Sequence, residues 1–189
     1  MMETLLAICL GIALSSACGF RIFIPPLVMS VAALQGNLPL APGFEWIGTY
    51  PAFLVFAIAV IVEIVAYYLP VASSFLDEIE IPIAIVMGTI VVASLLGEID
   101  PFLQWTIAAL IGGGAAGIIE GINAIDRVAS SRRKTAADIS LNSTIEVLSA
   151  TLLSVLALRL PLFTGLLAVS LLAFSFNQLS RFWVVETKK

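Results

Sequence analysis

The stretch "SACGFRIFIPPLV" (residues 16–28) decides how the chain is to be read. An apolar run enters it, then come a cysteine, a glycine, an arginine and two prolines, and a second apolar run leaves it. It could end a signal peptide, carry a lipoprotein cysteine, or break a membrane helix. A signal peptide opens with positive charge; here the chain starts Met-Met-Glu and its first basic residue is Arg21. Ser15 stands where a lipoprotein signal places a branched aliphatic residue. The expectation is a retained, broken helix. As one straight helix, residues 4–34 would measure about 46 Å against a hydrocarbon core of roughly 30 Å. Gly19, Pro25 and Pro26 mark the cheapest break, because proline lacks an N–H and turns its predecessor away from helix. Residues 4–20 read as a span, 21–26 as an elbow, and 26–35 as a re-entrant or interfacial half-helix. Irregular backbone at membrane depth needs cover from protein or a wet cavity, so the elbow is the first candidate site.

Composition supports a membrane setting. Of 189 residues, 60% are hydrophobic and 12% charged, about half the charged share of soluble domains, and mean hydropathy is +1.10. The net charge of −4 argues against nucleic acid as a partner. The absence of histidine removes the usual zinc ligand and neutral-pH base. Cys9 and Cys18 have no metal or disulfide spacing and read as small packing residues. No motif implies a cofactor or a metal.

The whole chain, 1–189, reads as one all-α polytopic membrane domain. After the broken first segment, further spans are expected at 51–70, 81–97, 101–124, 144–160 and 161–180, six in all. Trp46 and Tyr50 anchor the loop at 35–51, and "VASSFLDEIEIP" (71–82) reads as an acidic connection. Asp100-Pro101 has the form of a cap with proline at the first helical position. Residues 126–143 form the one strongly polar loop. Four of nine Lys and Arg lie between 127 and 134 and three more at 181, 188 and 189. Both clusters are expected on the cytoplasmic side, and counting back four crossings puts the N-terminus there too, in a bacterial inner membrane.

Ionisable groups inside spans are costly, about 2.5–3.5 kcal/mol each. Glu63 lies deep in its span and must be protonated, paired or wetted. Glu120 shares a face with Gly113, Gly117, Asn123 and Arg127, a polar streak that also reads as a helix end paired with Arg127. Arg21 sits in the elbow, where it holds a carboxylate or an anion, or snorkels outward. Arg159 reads as a surface turn residue. Asn142 or Ser143 with Glu146 resembles a capping box. Small residues recur every four positions at Ala7, Gly11, Ser15 and Gly19, and at Ala109, Gly113, Gly117 and Gly121. Such stripes permit close helix packing or a homo-oligomer. Segments 20–34 and 158–173 share an arginine, a proline and an apolar run, the form of an internal repeat.

"ACGFRIFIPPL", Glu63 ahead of Asp77 and Pro82, "IGGGAAGIIEGINAIDR" and "LNSTIEV" together resemble a bacterial family known as domain of unknown function 4126. The family pattern carries a histidine and a lysine where this chain has Glu120 and Ala124, an acidic pair at Glu146-Val147, and aspartate and lysine at Tyr67 and Tyr68. The resemblance implies a fold and leaves the activity open. The residues favour a carrier or channel for a small solute or ion, built on Arg21, Glu63, Glu120 and Asn123. The alternative is a non-transporting assembly or lipid-interacting factor, with membrane lipids as partners. Neither a nucleophile motif nor paired catalytic acids point to an enzyme.

Overall fold

A computed structural model describes the backbone of residues 2–68, 70–97, 99–130 and 136–186, and the side chains within 4–67, 79–97, 99–125 and 141–178. The described residues are helical throughout, apart from turns and loops. α1 spans Met2–Cys18, α2 Ile24–Leu34, α3 Tyr50–Tyr68 and α4 Pro70–Ala93. α5, Pro101–Ile107, continues through a π-helical stretch, Ala108–Gly113, into α6, Gly114–Ser130. α7 covers Ala136–Arg159 and α8 Pro161–Glu186. Tyr50–Tyr67, Pro101–Ile125, Leu141–Arg159 and Pro161–Gln178 are long and apolar enough to cross a membrane, while Thr4–Cys18, Ile24–Leu34 and Ile79–Ala93 are shorter apolar helices. Outward faces are apolar too: Leu54, Ile58 and Ile61 of α3, Leu148 and Leu152 of α7, and Phe163 and Leu166 of α8 are exposed. Water would not tolerate patches of this extent; lipid does. The chain is built as a helical membrane protein.

The expected break is present, two residues earlier than its prolines. α1 ends at Cys18, a tight turn follows, and Pro25 and Pro26 fall in the first turn of α2, where a missing N–H is harmless. The elbow is thus 19–23. Asp100 caps α5 as expected, accepting from Phe102 N–H at 2.9 Å and Leu103 N–H at 3.4 Å.

Several boundaries differ from the sequence reading. Residues 70–93 form one helix with Pro82 inside it, so 71–82 is no connecting loop. The third apolar segment ends at Ala93, not 97. α7 starts at Ala136, which puts Asn142, Ser143 and Glu146 inside a helix and removes the capping box. The repeat fails as well: Arg21 is buried in a turn before an 11-residue helix, whereas Arg159 is exposed ahead of a 26-residue helix.

α1 runs the length of the bundle. Ala7 and Ile8, at its start, pack with Val92, Ala93, Leu96 and Ala108. Its end meets the opposite end of the bundle, where Asn123 reaches Gly19 and Arg21 reaches Ser143. The return leg runs through α2 and the loop after it. Ser30 Oγ donates to the Ile47 carbonyl at 2.6 Å, Ala41 N–H to the Ser94 carbonyl at 2.8 Å, and the Phe44 and Trp105 rings lie 5.9 Å apart. Residues 24–49 therefore travel the full depth of the bundle.

The small-residue stripes pack within the chain. A Cβ on Gly11 would stand 3.2 Å from Val92, on Gly19 2.6 Å from Ile119, on Gly113 2.8 Å from Thr89 and on Gly117 2.9 Å from Ile85. Ser15 is fully buried, its hydroxyl bonded to the Ile12 carbonyl at 3.1 Å. Two positions of the second stripe are exceptions: Ala109 is exposed, and nothing lies within 4 Å of a Cβ at Gly121. The closest approach was not in either stripe. Gly88 of α4 and Gly112 of the π-helical stretch meet backbone to backbone, and a Cβ on either would strike the other's carbonyl oxygen.

Two predictions follow from this packing. In a background lacking Cys9 and Cys18, Thr4→Cys and Asn37→Cys should react with an impermeant thiol reagent from one membrane face and Ser131→Cys from the other. Reaction of Thr4→Cys from the Ser131 face would refute the return leg. Gly88→Ala should lower stability by about 1–3 kcal/mol, the usual cost of overpacking, while Gly121→Ala should be neutral or slightly stabilising; equal thermal midpoints for the two would contradict the backbone crossing.

Candidate functional site

The elbow exposes a physical problem before it suggests a function. Helix ends leave N–H and C=O groups without intrahelical partners, and here they lie among apolar helices with no water to bond them. Two polar side chains from two helices converge on them, and Arg21 of the elbow itself reaches out to a third helix. Glu63 of α3 accepts from Ile22 N–H at 2.8 Å and Phe23 N–H at 3.3 Å, serving the start of α2. Asn123 of α6 donates its Nδ2 to the Gly19 carbonyl at 2.9 Å, serving the end of α1. Arg21 reaches into α7, where its Nη2 donates to Ser143 Oγ at 2.6 Å and to Glu146 Oε2 at 2.9 Å.

Arg21 is 1% exposed, so snorkelling is excluded. Its guanidinium carbon lies 3.8 Å from the centre of the Tyr67 ring, a cation–π contact. The Tyr67 hydroxyl is bonded to Glu80 Oε1 in α4. Among the described residues, Arg21 Nε and Nη1 have no hydrogen-bond partner. The ion pair is therefore between Arg21 and Glu146, not Arg21 and Glu63.

Of the four residues singled out from the sequence, Arg21, Glu63 and Asn123 meet at the elbow. Glu120 is buried on the same helix as Asn123, with interactions of its own; the side chain of Arg127, its expected partner, lies outside the described residues. Sequence reasoning missed Tyr67 and Glu80. Glu80 sat inside the supposed acidic loop, and only the continuity of α4 brings it under the bundle.

A cavity of about 440 Å³ adjoins this cluster. Val55, Ile58, Ala59, Val62 and Ala66 of α3 form one wall, Ile79 and Ile83 of α4 another, and Ile22 and Phe23 of the elbow close one end. Glu63 and Glu80, 5% and 3% exposed, also line it, almost wholly through their apolar atoms; their carboxylates stand behind that lining, on the Ile22 and Phe23 N–H groups and the Tyr67 hydroxyl. Val55, Ile58 and Val62 are exposed on the lipid-facing surface, so the cavity opens sideways between α3 and α4 rather than along the bundle axis. Its volume falls in the range of small-molecule pockets, about 300–1,000 Å³.

The fold and site define a small helical membrane protein with a buried charge cluster at a helix break. The chain belongs to the family described as Domain of unknown function (DUF4126), which matches residues 8–181. No curated protein and no solved structure matches it.

The ion pair predicts a specific coupling. Removing one partner of a buried pair costs roughly 3–5 kcal/mol. Arg21→Met and Glu146→Gln should each lower the thermal midpoint strongly, and the double variant should recover much of the loss. The same cycle between Arg21→Met and Glu63→Gln should be closer to additive. A larger coupling to Glu63 than to Glu146 would show that the pairing is wrong.

Proposed function

We propose that this protein is a membrane carrier for a small solute or ion, with its substrate site in the lateral α3–α4 cavity and Glu63 as its central carboxylate. One observation carries the reading: two buried carboxylates stand directly behind the apolar lining of a cavity beside a broken helix. Broken helices and intramembrane carboxylates are recurrent parts of transport sites. The position of the cavity favours entry from the lipid side. α1, α3, α4, α5–α6, α7 and α8 serve as six crossings, with α2 as the core of the return leg. The basic cluster at 127–134 favours a cytoplasmic location for the α6–α7 connection and the C-terminus; the path of α1 then favours an N-terminus outside the bacterial inner membrane. No enzymatic step is needed.

The apolar walls also favour a second reading, a non-transporting factor that seats a lipid chain in the groove. Flux separates the two. Proteoliposomes holding the purified chain should pass protons or monovalent cations faster than protein-free vesicles, as read by trapped pH- and potential-sensitive dyes. Glu63→Gln should reduce that flux about tenfold. Flux equal to protein-free vesicles, with lipid retained through purification, would favour the lipid-seating factor and overturn the carrier.

A further inference from the structure

We propose that the α3–α4 cavity binds a lipophilic monocation, its apolar body against Val55, Ile58, Ala59 and Ile83 and its positive centre against Glu63 and Glu80. The inference deepens the reading of this cavity as the substrate site and rests on it. The first ground is the composition of the walls. Apart from the two carboxylates, every lining residue is Ala, Val, Ile or Phe, so a hydrophilic ion would lose its hydration and regain few contacts. A ligand here must bring its own apolar surface.

The second ground is the sign of the charge. Both polar residues lining the cavity are acidic, and Arg21 is not among the lining residues. Its guanidinium is held on Glu146 and Ser143. Glu63 keeps unused acceptor capacity: a carboxylate offers about four lone-pair sites, and two backbone N–H groups occupy two of them. An anionic headgroup would stand against the field of two carboxylates just behind the apolar lining. The lateral opening through Val55, Ile58 and Val62 admits a molecule already dissolved in the bilayer, where lipophilic cations concentrate.

Tetraphenylphosphonium and tetraphenylborate have the same shape and opposite charge, and equilibrium dialysis against the purified full chain in detergent measures both. The phosphonium should bind at least tenfold more tightly than the borate. Glu63→Gln should weaken phosphonium binding about tenfold and leave the borate unchanged or tighter. Because Glu63 also supports the elbow, a second variant is needed: Ala59→Trp fills the cavity from a wall position with no polar role and should abolish phosphonium binding while the chain stays folded. Equal binding of both ions, lost in Ala59→Trp, would overturn the charge preference and leave the cavity as the binding site. Tighter binding of the borate would do the same and point to the unpartnered donors of Arg21. Binding of neither ion, or phosphonium binding that Ala59→Trp does not change, would overturn the cavity as a site. So would efficient crosslinking between copies through Ile58→Cys in a background lacking Cys9 and Cys18, which would make the groove a contact between two chains.

Discussion

The backbone at residues 19–23 is the constraint on which the rest of the structure depends. A chain that turns inside apolar surroundings must find a partner for every N–H and C=O it frees. Here the partners are long-range: Glu63 for the start of α2 and Asn123 for the end of α1. Each lies on a different helix, so α3 and α6 are fixed in register against the elbow. Arg21 extends the same logic to α7 through Glu146. The costly ionisable groups of the interior are therefore concentrated at one level, where the irregular backbone needs them. That concentration accounts for most of the polar chemistry in the described interior without invoking a ligand. Polar capacity remains beyond this structural demand at Arg21, whose Nε and Nη1 have no hydrogen-bond partner among the described residues.

Glycine contacts supply the complementary constraint. Because α4 and the π-helical stretch touch through Gly88 and Gly112, α4 is drawn against α5–α6 along its later half. Its earlier half, bearing Ile79, Glu80 and Ile83, borders the α3–α4 cavity. Tight packing at one end and a gap at the other belong to the same helix. Three consecutive glycines, 112–114, allow the wider π-helical winding and the backbone contact in one place.

Arg21, Glu63 and Asn123 were legible in the sequence because polar residues in apolar runs carry an energetic cost that something must offset. Their partners were not legible, for two reasons. The ion pair joins residues 125 positions apart, and no local periodicity reports such a contact. Glu146 also had a local explanation, a capping box, which fails because α7 begins about two turns earlier than the polar residues suggested. Glu80 was hidden by composition: serines, acids and a proline read as a loop, yet Pro82 is accommodated within a helix, as lipid-embedded helices permit. The return leg was not legible either: an 11-residue helix reads as too short to span, and only the contacts of the loop after it, Ala41 on Ser94 and Phe44 on Trp105, show that it comes back along the bundle.

The elbow and the cavity share atoms, and this ties fold to function more closely than proximity alone. The N–H groups of Ile22 and Phe23 bond Glu63, and the same two residues wall the cavity. A ligand that drew the Glu63 carboxylate toward itself would compete with those two bonds and loosen the start of α2. The far end of that leg is held separately, by Ser30 on Ile47 and by Ala41 on Ser94. The sharing of Ile22 and Phe23 couples the elbow to the site, and α2 is packed against α3 and α7 as well. It also explains why substitutions at Glu63 mix two effects, on the elbow and on the site. Ala59 touches only the second, because it lines the cavity without a polar group to offer the backbone.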